Sequence, residues 1–161
     1  MKQVILLFGL IFLFSCSVEA QPKEESHVNE HTQKVEQKAS NEEPWTDADL
    51  MEPSDLAKRI QDGNADDLLI LSIGFDDIIA GSTFIGPGRD QANVNKLREL
   101  LENTPKDQEV VLYCGCCPFG PCPNIRPAFS AMKELGFENG KLLNIRQNIK
   151  VNWLDLNYPK K

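Results

Sequence analysis

The feature that most constrains the fold is the alternation of short apolar runs with segments of helical periodicity between Trp45 and Lys161. The runs DLLILSIG, QEVVLY and KLLNIR are typical of buried strands. The segments EPSDLAKRIQDG, QANVNKLRELLENT and RPAFSAMKELGF predict helices. Buried strands that alternate with helices pair in parallel and need cover on both faces. The sequence therefore predicts the α/β class: a three-layer sandwich with a central parallel sheet and helices on both faces.

Particular residues mark the ends of these helices. Ser54 is a candidate cap for the first helix, and Gly63 is suited to close it in the left-handed conformation. Pro127 suits the first turn of the third helix, where no amide hydrogen is needed, and Gly136 suits its end.

The N-terminal part of the chain has the composition of a signal and a tether. Residues 1–15 carry one Lys and then a nearly unbroken apolar run, which predicts a signal peptide. Leu13-Phe14-Ser15-Cys16 resembles the bacterial lipobox, with Cys16 as the lipidated residue; the alternative is an ordinary signal peptide with an incidental Cys16. Residues 16–44 are polar and predict a disordered tether, and residues 45–161 are the folded domain. We expect an exported protein, lipid-anchored to a bacterial membrane and facing the periplasm or the cell surface.

The distribution of histidine and charge excludes several function classes. Both histidines, His27 and His31, lie in the tether, so the folded domain has no imidazole for a serine hydrolase triad, a Cys-His pair or a His-ligated zinc centre. The chain has a net charge of −7 and no basic patch, which argues against a nucleic acid partner. We expect a monomer without a cofactor.

Four cysteines stand in the loop YCGCCPFGPCPNIRPAF, between the second apolar run and the third helix. They are Cys114, Cys116, Cys117 and Cys122. Working sites of parallel α/β folds lie beyond the carboxyl ends of the strands, which is where this loop begins. The start of the following helix and the loop amides would favour a thiolate. The loop is therefore the candidate site.

The segments around this loop resemble the rhodanese-like family. The resemblance is carried by a strand ending in Tyr-Cys, an Arg that opens a helix ending in LGF, and Trp153 followed by Tyr158-Pro159. GSTFIGPG loosely occupies the family's Gly-His-Ile-Pro-Gly turn, and the similarity spans about residues 51–159. Cys114 lies twelve positions before Arg126 instead of the family's five, so the loop is longer by seven residues. The family's Asp-x-Arg is Ser72-Ile73-Gly74 here, and its final Gly-Gly turn is NIRQN.

The resemblance implies sulfur transfer through a cysteine persulfide, with a small anionic donor of the thiosulfate type and a thiol or cyanide acceptor. Cys114 is the catalytic candidate by its position after the strand, and Cys122 is the alternative nucleophile by its closeness to the helix. Cys116, Cys117 and Cys122 are candidate resolving thiols. Arg126 would orient the anionic donor. A phosphatase is not expected, because the residue six positions before Arg126 is Gly120 and not cysteine.

Two other interpretations of the four cysteines remain open. Cys114, Cys116, Cys117 and Cys122 are thiolate ligands suited to Cu(I), or less well to Zn(II), which predicts a metal carrier. Outside the cytoplasm the same four residues form an even set for disulfides. That pairing predicts a catalytically inactive, stapled rhodanese-like binding domain.

Overall fold

The structure, a computed structural model, describes residues 43–161. The predicted signal peptide, the lipidation at Cys16 and nearly all of the predicted tether lie outside these residues. No helix within residues 43–161 has both the length and the apolar character needed to cross a bilayer. The elements, in chain order, are β1 (Leu50–Met51), α1 (Pro53–Gln61), β2 (Leu68–Ser72), β3 (Thr83–Phe84), α2 (Gln91–Glu102), β4 (Glu109–Tyr113), α3 (Ile125–Glu134) and β5 (Lys141–Leu143). A 3-10 turn, Asp47–Asp49, precedes β1, and a π-helix, Lys150–Leu154, follows β5.

The strands form one sheet in the order β1-β5-β4-β2-β3, and all of its pairings are parallel. The predicted α/β class with a central parallel sheet is confirmed. The three predicted strands are β2, β4 and β5, which occupy the centre. The edge strands β1 and β3 were not predicted, because two residues carry no readable periodicity.

Successive residues of β4 point to opposite faces of the sheet, and each face carries its own hydrophobic core. Leu112 lies in the core that contains residues of α2 and α3, such as Leu97 and Phe129. Val111 lies in the core that contains Leu56 of α1 and the π-helical Trp153. The two cores cover both faces of the sheet, as in a three-layer sandwich.

The helix ends agree with the sequence predictions except at one residue. Gly63 and Gly136 both have positive φ, 70° and 85°, after α1 and α3. Pro127 is the third residue of α3, within its first turn. The predicted capping role of Ser54 is wrong: Pro53 is the first residue of α1, so Glu52 takes the capping position and Ser54 lies inside the helix. Proline is favoured at that first position because its missing N–H needs no partner there.

Candidate functional site: the cysteine loop

The cysteine loop, residues 115–124, leaves the carboxyl end of β4 and ends at the first residue of α3. Two backbone hydrogen bonds tie it to the chain that follows β5. The amide of Ile149 donates to the carbonyl of Gly115 at 2.8 Å, and the amide of Phe119 donates to the carbonyl of Ile145 at 3.0 Å. The loop is therefore held against the neighbouring strand end and does not project freely.

Three of the four thiols converge around Cys114, the first residue after β4. The sulfur atoms of Cys114, Cys116 and Cys122 all lie within 4.8 Å of one another. The Cys114 and Cys116 sulfurs are 3.3 Å apart, and the Cys116 and Cys117 sulfurs are also 3.3 Å apart. Cys117 lies outside this group and contacts Cys116. All four are free thiols in this structure.

The thiols differ sharply in exposure. Cys114 and Cys122 are buried, at 1% and 0% relative exposure, whereas Cys116 is exposed and Cys117 is half-buried. The interior pair is inside the core between the sheet and α3. A molecule in solution therefore reaches the exposed Cys116 first. The buried Cys114 lies behind it, in contact with the Cys116 sulfur.

Asn124, which sequence reasoning missed, connects the thiols to a second loop. It is buried, and its side-chain amide donates to the Cys114 sulfur at 3.3 Å. Its side-chain oxygen accepts from the backbone N–H of Arg89 at 3.1 Å. Asn is common before helices, but there its side chain usually caps the helix. Nothing in the sequence directs it to a cysteine ten positions earlier.

Gly74 has no side chain, and this leaves room for the Cys114 sulfur beside it. A Cβ at this position would lie 3.1 Å from that sulfur and 3.4 Å from the amide nitrogen of Gly115. The chain after β2 and the chain after β4 thus approach each other closely, as neighbouring parallel strand ends do. A larger residue at position 74 would push against the sulfur.

The surroundings of the thiols lower the pKa of one cysteine and raise the pKa of two others. The neighbouring Cys122 thiol, then the Cys116 amide, the Asn124 amide and the Cys116 thiol, lower the pKa of Cys114 to about 5 against the opposing effect of burial. Burial and the S–H bonds to Cys117 and Cys114 raise the pKa of Cys116 to about 12. Donation to the Cys114 sulfur holds the pKa of Cys122 well above its usual range. One negative charge is therefore concentrated on Cys114.

Arg126, predicted to orient an anionic donor, contacts the loop backbone and Glu43. Its guanidinium donates to the carbonyl of Gly120 at 2.8 Å and to the carboxylate of Glu43 at 2.7 Å. It also stacks 5.2 Å from the ring centre of Trp45, which packs against Phe119 of the loop. The Arg126 charge is therefore paired with Glu43. The guanidinium stabilises the loop through the Gly120 carbonyl, and its hydrogen bonds are not to the thiols.

Replacing Arg126 with Gln is expected to leave the pKa of Cys114 unchanged, because the guanidinium contacts the loop backbone and not the sulfur. The cost in free energy of unfolding is expected to be about 1 kcal/mol or less, since the ion pair with Glu43 is partly exposed. The pH dependence of Cys114 alkylation and a urea titration measure the two effects. A clear upward shift of the alkylation midpoint would instead restore Arg126 to the anion site.

The donor set permits two kinds of chemistry. A cluster of thiolates with one acidic member can carry out thiol exchange, and three converging sulfurs can bind a soft metal ion. For the metal, the structure brings together the sulfurs of Cys114, Cys116 and Cys122 and leaves Cys117 outside this group, 3.3 Å from the Cys116 sulfur.

Comparisons with known proteins identify a shared fold and no function. The chain is similar to a full-length protein from Lactobacillus plantarum whose crystal structure was determined by the Northeast Structural Genomics Consortium. That protein superposes with a TM-score of 0.53 at 13% identity, over 71% of this chain and 88% of its own. No family model matches the chain. No curated protein matches it.

Proposed function

We propose that this protein is a sulfurtransferase that carries sulfane sulfur as a persulfide on Cys114. The observation that carries the proposal is the Cys114 sulfur at the carboxyl end of β4, with the Cys116 thiol and the Asn124 amide both 3.3 Å away. A persulfide is an anion, and these donors stabilise an anion at that position. The resemblance of the sequence to rhodanese-like domains points to the same chemistry.

The first step is an attack by the Cys114 thiolate on the outer sulfur of a donor such as thiosulfate. A bond forms between the Cys114 sulfur and that outer sulfur, and the S–S bond of thiosulfate breaks. Its electron pair leaves with sulfite. The persulfide on Cys114 keeps one negative charge, which lies on its terminal sulfur.

Cys116 is the exchange thiol in this proposal, because it is exposed and its sulfur is 3.3 Å from Cys114. Its sulfur attacks the terminal sulfur of the Cys114 persulfide, and the Cys116 proton passes to the transferred sulfur. The Cys114 thiolate is restored as the leaving group. An acceptor thiolate in solution then takes the sulfur from Cys116 by the same exchange.

The test is the intact mass of the reduced protein before and after incubation with thiosulfate. We expect a gain of one sulfur atom in the wild type and in Cys117→Ser, the matched control, because Cys117 lies outside the converging group. Cys114→Ser should gain none. A gain that persists in Cys114→Ser and is lost in Cys122→Ser would make Cys122 the carrier, and no gain in any form would reject sulfur transfer.

A second candidate function is the transport or storage of a soft metal ion such as Cu(I). It is favoured by the single observation that three sulfurs lie within 4.8 Å of one another, which suits three-coordinate thiolate binding. Metal analysis of the protein purified under reducing conditions tests it. Stoichiometric copper that is lost in Cys122→Ser and retained in Cys117→Ser would support this function over sulfur transfer.

A further inference from the structure

Phe75 and Arg89 form an exposed pair of complementary side chains. The Arg89 guanidinium lies 5.2 Å from the centre of the Phe75 ring. Phe75 is 53% exposed and the Arg89 side chain is 54% exposed, so both groups present most of their surface to solvent. Single exposed apolar side chains are common on protein surfaces, but this ring stands beside a cation.

Both side chains project from backbone that borders the Cys114 sulfur. Phe75 directly follows Gly74, whose Cβ position would be 3.1 Å from that sulfur. The amide of Arg89 bonds to Asn124 at 3.1 Å, and Asn124 bonds to the Cys114 sulfur at 3.3 Å. The backbone that carries the pair therefore borders the thiol site on the side formed by the chain after β2.

The Arg89 charge is only weakly neutralised. Its nearest carboxylate, Asp90, is 3.8 Å away. Four other cations that follow the strand ends have carboxylate partners at 2.5–2.8 Å, namely Arg126, Arg146, Lys150 and Lys161. Lys160, which pairs with Ile79 through the backbone, makes no ion pair with the described residues. A protein of net charge −7 repels anions in general, so an anionic substrate needs a local cation of this kind.

We propose that Phe75 and Arg89 are the donor-binding pair of the thiol site and that they select organic thiosulfonates, in which an anionic thiosulfonate group carries an apolar substituent. The Cys114 thiolate bonds to the outer sulfur of this donor, its S–S bond breaks, and the sulfinate leaves with the electron pair. This inference rests on the proposed sulfur transfer. The guanidinium hydrogen-bonds the sulfonyl oxygens, with its planar fork matched to two of them. The phenyl ring covers the apolar substituent. Thiosulfate satisfies the first contact and lacks the second.

The anion-binding part is tested without sulfur transfer, through the alkylation of Cys114 by iodoacetate, an anion, and by iodoacetamide, which is neutral. The reaction is run at about pH 6, where ordinary thiols are protonated, and the modified residue is located by peptide mass. We expect the rate ratio of iodoacetate to iodoacetamide to fall about three- to tenfold in Arg89→Gln. Arg98→Gln is the matched control, because it also removes one positive charge. Arg98 lies on α2 and is ion-paired with Glu134 of α3, so the iodoacetate to iodoacetamide ratio should not change.

The apolar part is tested by sulfur transfer from benzenethiosulfonate and methanethiosulfonate. The wild type should have the lower KM for the benzene compound, and Phe75→Ala should remove that preference while kcat changes little. Phe75→Leu, which keeps an apolar side chain, should keep part of it.

The two proposals fail in different ways. A gain of sulfur with an iodoacetate ratio that is unchanged in Arg89→Gln overturns the donor-binding role and leaves sulfur transfer in place. A ratio that falls in Arg89→Gln without any gain of sulfur overturns sulfur transfer, while the role of Arg89 in binding anions stands. Equal KM values for the two thiosulfonates in the wild type would remove Phe75 from the site.

Discussion

The rate of Cys114 alkylation by iodoacetamide is expected to rise through a midpoint near the Cys114 pKa of about 5 and to level off below neutral pH. The thiolate is the reactive form, and a lowered pKa keeps it present above that midpoint and removes it only in acid. Rates measured from pH 4 upward, with the modified cysteine identified by mass, give the midpoint. A midpoint near 9.0, the ordinary thiol value, would contradict the hydrogen-bonded arrangement.

Cys122→Ala is expected to move this midpoint upward by the largest amount of any single change, because the neighbouring Cys122 thiol, with its sulfur within 4.8 Å, contributes most to lowering the Cys114 pKa. Each unit of upward shift lowers the thiolate fraction below the midpoint about tenfold. Cys122→Ser, which keeps a donor, should shift the midpoint less, and Cys117→Ala should not shift it. An unchanged midpoint in Cys122→Ala would assign the lowered pKa to Asn124 and the loop amides.

The central part of the fold was predictable because its elements are long enough to show a period. β2 and β4 are apolar except for Ser72 at the end of β2 and Glu109 at the start of β4, and they occupy the centre of the sheet, where both faces are covered. β1 pairs with β5 across most of the domain sequence. A two-residue strand is too short to show a hydrophobic period in the sequence. Its pairing with so distant a partner depends on the rest of the sheet.

The location of the site was predictable from topology, whereas the roles of its neighbours were not. A loop that follows a central strand and precedes a helix must lie at the carboxyl edge of the sheet, and that placed Cys114 correctly. The directions of Asn124 and Arg126 depend on how the ten-residue loop folds back on itself. Arg126 turns toward Glu43, more than eighty positions away, and no spacing rule indicates that partner.

A clear loss of stability is expected on substitution of Gly88, which lies against the end of the cysteine loop. A Cβ at Gly88 would overlap the carbonyl oxygen of Asn124 and lie 3.3 Å from the Ala128 side chain. The Gly88 amide is fixed by a hydrogen bond to the Ile73 carbonyl at 3.0 Å, so the glycine cannot easily move away. Gly88→Ala should lower the free energy of unfolding by about 1–3 kcal/mol, the usual cost of overfilling a packed site.

Gly120→Ala is the matched control, since it adds the same methyl group within the cysteine loop where no atom lies within 4 Å. Urea unfolding of both variants measures the difference. Because the overlap at Gly88 falls on Asn124, Gly88→Ala should also weaken the Asn124 hydrogen bond to Cys114 and raise the alkylation midpoint, whereas Gly120→Ala should change neither. Equal stability of the two variants would mean that Gly88 is not closely packed against Asn124 and Ala128. The hydrogen bond from Asn124 to Cys114 would then not depend on that packing.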